Sequence, residues 1–374
     1  MTLMFALVLA KQAYSGPVIR PIGVGVDVFV SAPAGKVGGY PQVRGPAIYH
    51  NGSGRLVAVC EGRKSGEDES SNILIARVSE DHGRTWGIEK VLVGDGVDSY
   101  VSPMLVGEGN TVQLHYNVYP FGTDSYRVEL GFAGKYQRSY RMSSSDGGKT
   151  WGAPVETSRQ VKADGVQSLN YGPGAGLVLT RGAHRGRWIL PAHNRIGGAA
   201  ASVAVVSDDK GATWRAGSAV PAPAGMYPNE VTMAELEDGQ VLLNARAAGG
   251  IGKRVQSVSS DGGLTWSEAK AVEALVDPVC HASLLRWRFG AGLKKGVLIF
   301  AQPGASGRQH GQVRVSLDDG VTWPGTFQVM KGYFGYSVLV DLGGGEVGLL
   351  YEGANGSASD PAMFLRFMRL KVMD

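Results

Sequence analysis

The 374-residue sequence has only two cysteines, Cys60 and Cys280, and no CxxC spacing. That excludes a disulfide framework, and both are expected to be buried thiols. No His/Cys cluster has metal-ligand spacing, so neither a metal nor another cofactor is expected. There is no run of Lys and Arg, and the formal net charge of +4 is small and evenly spread. This argues against a nucleic-acid surface and mildly favours an anionic substrate. Long apolar stretches are missing as well. Met1 to Ala10 is apolar but has no preceding positive charge and stops at Lys11; it is too short to span a membrane and reads as a degenerate secretory signal or as a first strand. Compartment and oligomeric state stay open.

What is abundant is glycine, 56 residues, beside 43% hydrophobic residues, a composition suited to many short strands joined by tight turns. The pattern Ser-x-Asp-x-Gly-x-Thr-Trp occurs five times, at Ser79 to Trp86, Ser144 to Trp151, Ser207 to Trp214, Ser259 to Trp266 and Ser316 to Trp323, in steps of 65, 63, 52 and 57 residues. Repeats of this period mark an array of similar sheets. Within the box, the Asp, Ser and Thr side chains can accept hydrogen bonds from backbone N–H groups, and the Gly permits a positive φ. The Trp is expected to fill the gap between neighbouring sheets, its burial contributing roughly 2 to 3 kcal/mol.

Between boxes the same order recurs: an apolar strand, a turn, a second strand, a third running into the box, and a fourth after the Trp. One unit reads Glu230 to Leu236, Val241 to Arg246 and Arg254 to Ser259; the next reads Ala282 to Trp287, Gly296 to Gln302 and Gln312 to Ser316. Three more strands follow the last box, around Ser337 to Leu342, Val347 to Tyr351 and Ala362 to Leu370, without a sixth box. The strand missing from this last sheet can come from Gly25 to Ser31. The expected fold is all-β, a six-bladed β-propeller whose last blade is closed by an N-terminal strand, since a ring protects sheet edges. Residues 1–374 are expected to form one propeller domain, with 1–20 as an extension or weak signal segment.

In a four-stranded meander the start of strand one, the end of strand two and the loop between strands two and three share one face, opposite the boxes. On that face fall Arg44, Glu230 and Tyr336 at starts of first strands, and Arg246 and Glu352 at ends of second strands. Arg308 and the acidic run Glu67-Asp68-Glu69 occupy loops between strands two and three. Singly, each reads as an ion pair, a packed ring or a solvated loop. Their convergence on one face does not.

These residues stand in motifs by which the chain resembles the exo-α-sialidases (neuraminidases) over nearly its whole length. Arg44-Gly-Pro46, Glu61-Gly-Arg63 followed by Asp68, Tyr171-Gly-Pro-Gly174, Asn229-Glu230 with Asn244-Ala-Arg246, Arg308 ahead of the fifth box, Tyr336-Ser337 and Leu350-Tyr-Glu352 match in order. The chain departs from the family at Gly45, where Ile is usual, at Ser102-Pro103, where Asn-Pro is common, and in the crowding of Asp68 by Glu67 and Glu69. No lectin module is evident.

The resemblance implies hydrolysis of terminal α-linked sialic acids on glycoproteins, glycolipids and oligosaccharides, with sialylated glycans as partners. It implies a clamp of Arg44, Arg246 and Arg308 on the substrate carboxylate, Glu352 holding Arg44, and Arg63 beside the substrate. It further implies Tyr336 as nucleophile, Glu230 as its base and Asp68 as acid/base, the neighbouring acids remaining alternatives. A neutral phenol suits this sugar, because a carboxylate nucleophile about 4 Å from the substrate carboxylate meets roughly 4 kcal/mol of repulsion at an effective dielectric of about 20. The alternatives are a trans-sialidase, which needs an aromatic acceptor platform that the sequence does not locate, a non-catalytic binding propeller, and a glycosidase for another sugar.

Overall fold

Each box closes the turn between the third and fourth strands of a sheet, and all five do so with one hydrogen-bond set. The Ser Oγ donates to the Asp Oδ1 at 2.7–2.8 Å and accepts from the Gly N–H at 2.8–2.9 Å. The Asp also accepts from the Thr backbone N–H. The Thr hydroxyl, expected as an acceptor, instead donates to the second Asp oxygen. The box glycines have φ between 80° and 98°. They also face the preceding blade: a Cβ on Gly83 would stand 2.1 Å from the Phe367 ring.

The computed structural model describes residues 14–32, 39–68, 70–292, 294–355 and 363–374; the apolar N-terminal segment and Glu69 lie outside the described residues. Six small antiparallel sheets form the ring. Blade 1 is Gln42–His50, Leu56–Arg63, Ile73–Ser79 and Lys90–Val93, and blade 4 is Pro228–Glu235, Val241–Ala247, Lys253–Ser259 and Lys270–Val276. Blade 5 is Ser283–Arg288, Val297–Pro303, Gly311–Ser316 and Gly325–Gln328. Blade 6 runs Phe334–Gly343, Glu346–Ala354 and Met363–Met373, and its outer strand is the N-terminal Val18–Val30, paired from Val18 with Met373 to Val30 with Phe364. Ring closure is thus as expected, on a strand that begins earlier than Gly25.

Blades 2 and 3 depart from the simple meander. Their main strands are Ser99–Glu108, Thr111–Tyr119 and Arg138–Ser144, then Ser168–Tyr171, Trp188–Ile196 and Ala199–Ser207, each with a two-residue fourth strand. Between Tyr171 and Trp188 the chain crosses back, so that Gly174–Ala175 pairs in parallel with Met104 and Leu105 of blade 2. Glycine permits the crossing: a Cβ on Gly176 would lie 2.6 Å from the Ile189 carbonyl.

The core lies between blades. Trp266 of blade 4 packs with Ile189 and Val206 of blade 3, and Trp323 of blade 5 with Leu242 of blade 4. Trp214, Trp266 and Trp323 are 2–8% exposed. Trp86 and Trp151 are only half-buried against their clusters, so the expected plug is complete in three blades of five. Cys60 and Cys280 are buried free thiols.

Candidate active site

The innermost strands bring the site together through a shared irregularity. In blades 1, 2, 4 and 6 the pairing of the first strand with the second shifts register near its start, between Arg44 and Ala47, Val101 and Met104, Pro228 and Val231, and Phe334 and Ser337. A bulge re-aims the side chains beside it. At these four points stand Arg44 with Gly45, Ser102, Asn229 with Glu230, and Tyr336.

All four segments face a cleft of about 310 Å³ on the side of the ring opposite the boxes. Arg44, Arg63, Asp68, Glu230, Arg246, Arg308 and Tyr336 line it, and Glu352 is buried beneath at 0% exposure. A second cavity, about 200 Å³ and largely apolar, is lined by first-strand residues including Met233 and Val338. It lacks the converging charges.

Tyr336 is the centre of the arrangement. Its hydroxyl donates to Glu230 Oε1, while Arg246 Nη1 donates to Glu230 Oε2 at 2.8 Å and to the Tyr336 oxygen at 3.1 Å. The guanidinium carbons of Arg44 and Arg308 lie 5.7 and 5.3 Å from the centroid of the Tyr336 ring. Three arginines therefore surround one phenol. Glu352 fixes the floor, accepting from Arg44 Nε at 2.8 Å, from the Gly45 N–H at 2.9 Å and from the Tyr336 N–H at 3.0 Å. Gly45 is required here: its φ is +62°, and a Cβ would stand 2.9 Å from Glu61 Oε1. That accounts for the absence of Ile at this position.

Among the described residues Arg308 has no carboxylate at ion-pair distance, and buried Glu352 acts on it only through space. The Arg308 hydrogen bond goes to the Val279 carbonyl at 3.0 Å, from a β-branched residue held at φ +55°, a conformation that such residues adopt only when the surroundings impose it. On the other side of the cleft, buried Arg63 donates to Glu61 Oε2 at 2.8 Å and pairs with Asp68, whose side chain is 76% exposed. Glu61 also accepts from the Ser102 N–H at 2.8 Å.

The charges set the protonation states. Burial alone would raise the Glu230 pKa, but the Arg246 guanidinium, assisted by the Tyr336 hydrogen bond, outweighs it and lowers the value to about 2. Burial and the Glu230 charge push Tyr336 well above the usual phenol range. The resting pair is therefore carboxylate and phenol. Glu352 is likewise held below its usual range despite burial, by Arg44 and two backbone N–H groups.

Sequence reasoning missed several residues of the cleft wall. Glu61 stands inside a matched motif without a recognised contact; Tyr126, in the long blade 2 loop, has no motif. His193 and Arg195 lie on a regular strand of blade 3 whose sequence carries no site signal. His193 and His281 are both lowered to about 4, first by burial, and the His281 ring lies 5.4 Å from Tyr336. Among the described residues no group of three or more His, Cys, Asp or Glu could hold a metal, and no helix is long and apolar enough to cross a membrane.

A family described as a BNR repeat-like domain matches residues 54–349. The chain is 32% identical over 366 residues to a sialidase of Micromonospora viridifaciens, covering 92% of this chain and 55% of that protein; it thus spans little more than half of that relative. Among solved structures, the Hadza microbial sialidase Hz136 superposes with a TM-score of 0.77 at 24% identity, over 91% of this chain and 68% of that one. The intramolecular trans-sialidase from Ruminococcus gnavus superposes with a TM-score of 0.76 at 20% identity, over 93% and 97%. The two structural likenesses bear on the fold.

Proposed function

The chain belongs to the sialidase family of Asp-box (BNR-repeat) propellers, and from that premise we propose that it is an exo-α-sialidase that removes terminal α-linked sialic acids by two displacements with net retention. The observation that carries this reading is the Tyr336 hydroxyl bonded to the Glu230 carboxylate with Arg44, Arg246 and Arg308 around it. A propeller that only bound its ligand would have no use for a phenol paired with a buried base.

In this reading the substrate carboxylate lies on the three arginines, each charge-assisted hydrogen bond contributing roughly 1.5 to 3 kcal/mol. Tyr336 attacks the anomeric carbon as its proton passes to Glu230. Because Glu230 is a weak base and Tyr336 a weak acid at rest, full transfer beforehand is uphill; proton transfer accompanies attack, and the arginines stabilise the developing phenolate. Asp68 donates a proton to the leaving oxygen and then takes one from the water that attacks the tyrosyl-sugar bond. Asp68 is the exposed member of its pair with buried Arg63, and it acts as the acid when it is released from that pair, which favours the carboxylate.

The test is fluorescence release from a 4-methylumbelliferyl α-sialoside by the full chain beside Tyr336→Phe and Arg308→Ala. Release by the wild type that collapses in both variants is expected; a folded wild type without release at acidic to neutral pH would refute the reading. Added lactose separates hydrolysis from transfer: free sialic acid is expected to stay the product.

A further inference from the structure

Arg246 and Arg308 stand on different blades, yet one buried carboxylate ties together the backbone beneath both. Asp277 opens the loop from blade 4 to blade 5 and is 3% exposed. Its Oδ2 accepts from the Ala247 N–H at 2.7 Å, next to Arg246, and its Oδ1 accepts from the Cys280 N–H at 3.2 Å. Cys280 follows Val279, whose carbonyl receives Arg308, and precedes His281, whose ring lies 5.4 Å from Tyr336.

Arg254, on the third strand of blade 4 and 1% exposed, completes the strut. Its Nη1 donates to the Cys280 carbonyl at 2.7 Å and lies 3.6 Å from Asp277 Oδ1, while its Nε donates to Asn244 Oδ1 at 2.8 Å. Asn244 stands two residues before Arg246 on the same strand. Both backbone polar groups of Cys280 are therefore pinned, one by each member of the pair, and this holds the neighbouring Val279 at its φ of +55°. An ion pair so deeply buried is a weak source of net stability, because desolvation offsets the attraction. Its effect lies in geometry.

We propose that Asp277 and Arg254 are positioning residues that set the spacing of Arg246 and Arg308, and so the fit of the clamp to a planar carboxylate. The inference deepens the clamp proposed above and rests on it. Neither residue lines the cleft; each acts through backbone that carries or anchors a cleft arginine. Recognition by paired hydrogen bonds tolerates little displacement, and a misplacement of about 1 Å can cost about a hundredfold.

The experiment titrates the full chain by calorimetry with the 2,3-didehydro-2-deoxy derivative of sialic acid and with its methyl ester, which lacks the charge that the clamp reads. The variants are Asp277→Asn and the double variant Asp277→Asn with Arg254→Met, which removes both buried charges and leaves the net charge unchanged. In both, the preference for acid over ester is expected to fall by at least about tenfold, with affinity for the ester held within about twofold. Unfolded chains bind neither probe, so the ratio reads the folded molecules alone. Loss of the Asp277 charge by itself would strengthen anion binding, so a fall in the single variant is an effect of displacement. A wild-type ratio in the double variant, or a loss shared equally by both ligands, would overturn the inference. A wild type that binds the acid no more tightly than the ester would instead refute the clamp itself.

Discussion

Glu230 and Tyr336 share one proton under the control of Arg246, and this makes the pH behaviour of the site testable. A carboxyl lowered from 4.5 to about 2 contributes stability that is fully present above the unfolded value and lost as pH falls through the folded one. The stability difference between wild type and Glu230→Gln, read from denaturant midpoints, is therefore expected to shrink between about pH 5 and about pH 2. Since Glu230 stays ionised well below the ordinary carboxyl value, an acid limb of kcat/KM at about pH 4 to 5 is expected to belong to another group. Arg246→Leu removes the charge that holds Glu230 ionised; a fall in kcat/KM of about a hundredfold is expected in steady-state assays. At this scale the sequence was legible wherever a residue type and its motif coincide, as for Tyr336 and Glu230. Arg195 and His193 were not, because a lone Arg or His on a regular strand has the same sequence appearance whether it faces a cleft or a neighbour.

The elements divide the work between two faces. The third-to-fourth turns carry the boxes, and their aspartates at 81, 146, 209 and 261 are each lowered to about 2, against some burial, by the Thr and Ser donors and backbone N–H groups. Asp209→Ala is expected to lower the melting temperature near neutral pH, with the difference fading as pH drops from about 4 to about 2 in thermal scans. The first strands carry the bulges that aim the site. At Gly335 a Cβ would stand 2.4 Å from Glu352 Oε2, so Gly335→Ala displaces the carboxylate that positions Arg44. A loss of at least about tenfold in kcat/KM with an unchanged circular-dichroism spectrum is expected. Strand order and box turns could be read from alternation and turn chemistry. The bulges and the crossing at Gly174–Ala175 could not, because register depends on the partner strand and no local pattern encodes it.

The ring makes the site a property of the whole molecule, since Arg44, Glu230, Arg246, Arg308 and Tyr336 come from blades 1, 4, 5 and 6 and meet only when the last blade is closed. Closure rests on Val18–Val30, whose Ile19, Val28 and Phe29 are buried. Deleting residues 1–30 is expected to lower the melting temperature by about 10 °C or more, given roughly 2 to 3 kcal/mol per buried apolar side chain, and activity should fall with it. The missing sixth box made this closure legible in the sequence, because a ring with an incomplete sheet must borrow a strand. The account as a whole is tested most directly by treating the intact chain with a 2,3-difluorosialosyl fluoride, then measuring intact mass and mapping the labelled peptide. It expects one sugar added per chain, on Tyr336, and none on Tyr336→Phe; a label on any other residue, or turnover by the Phe variant at the wild-type rate, would contradict it.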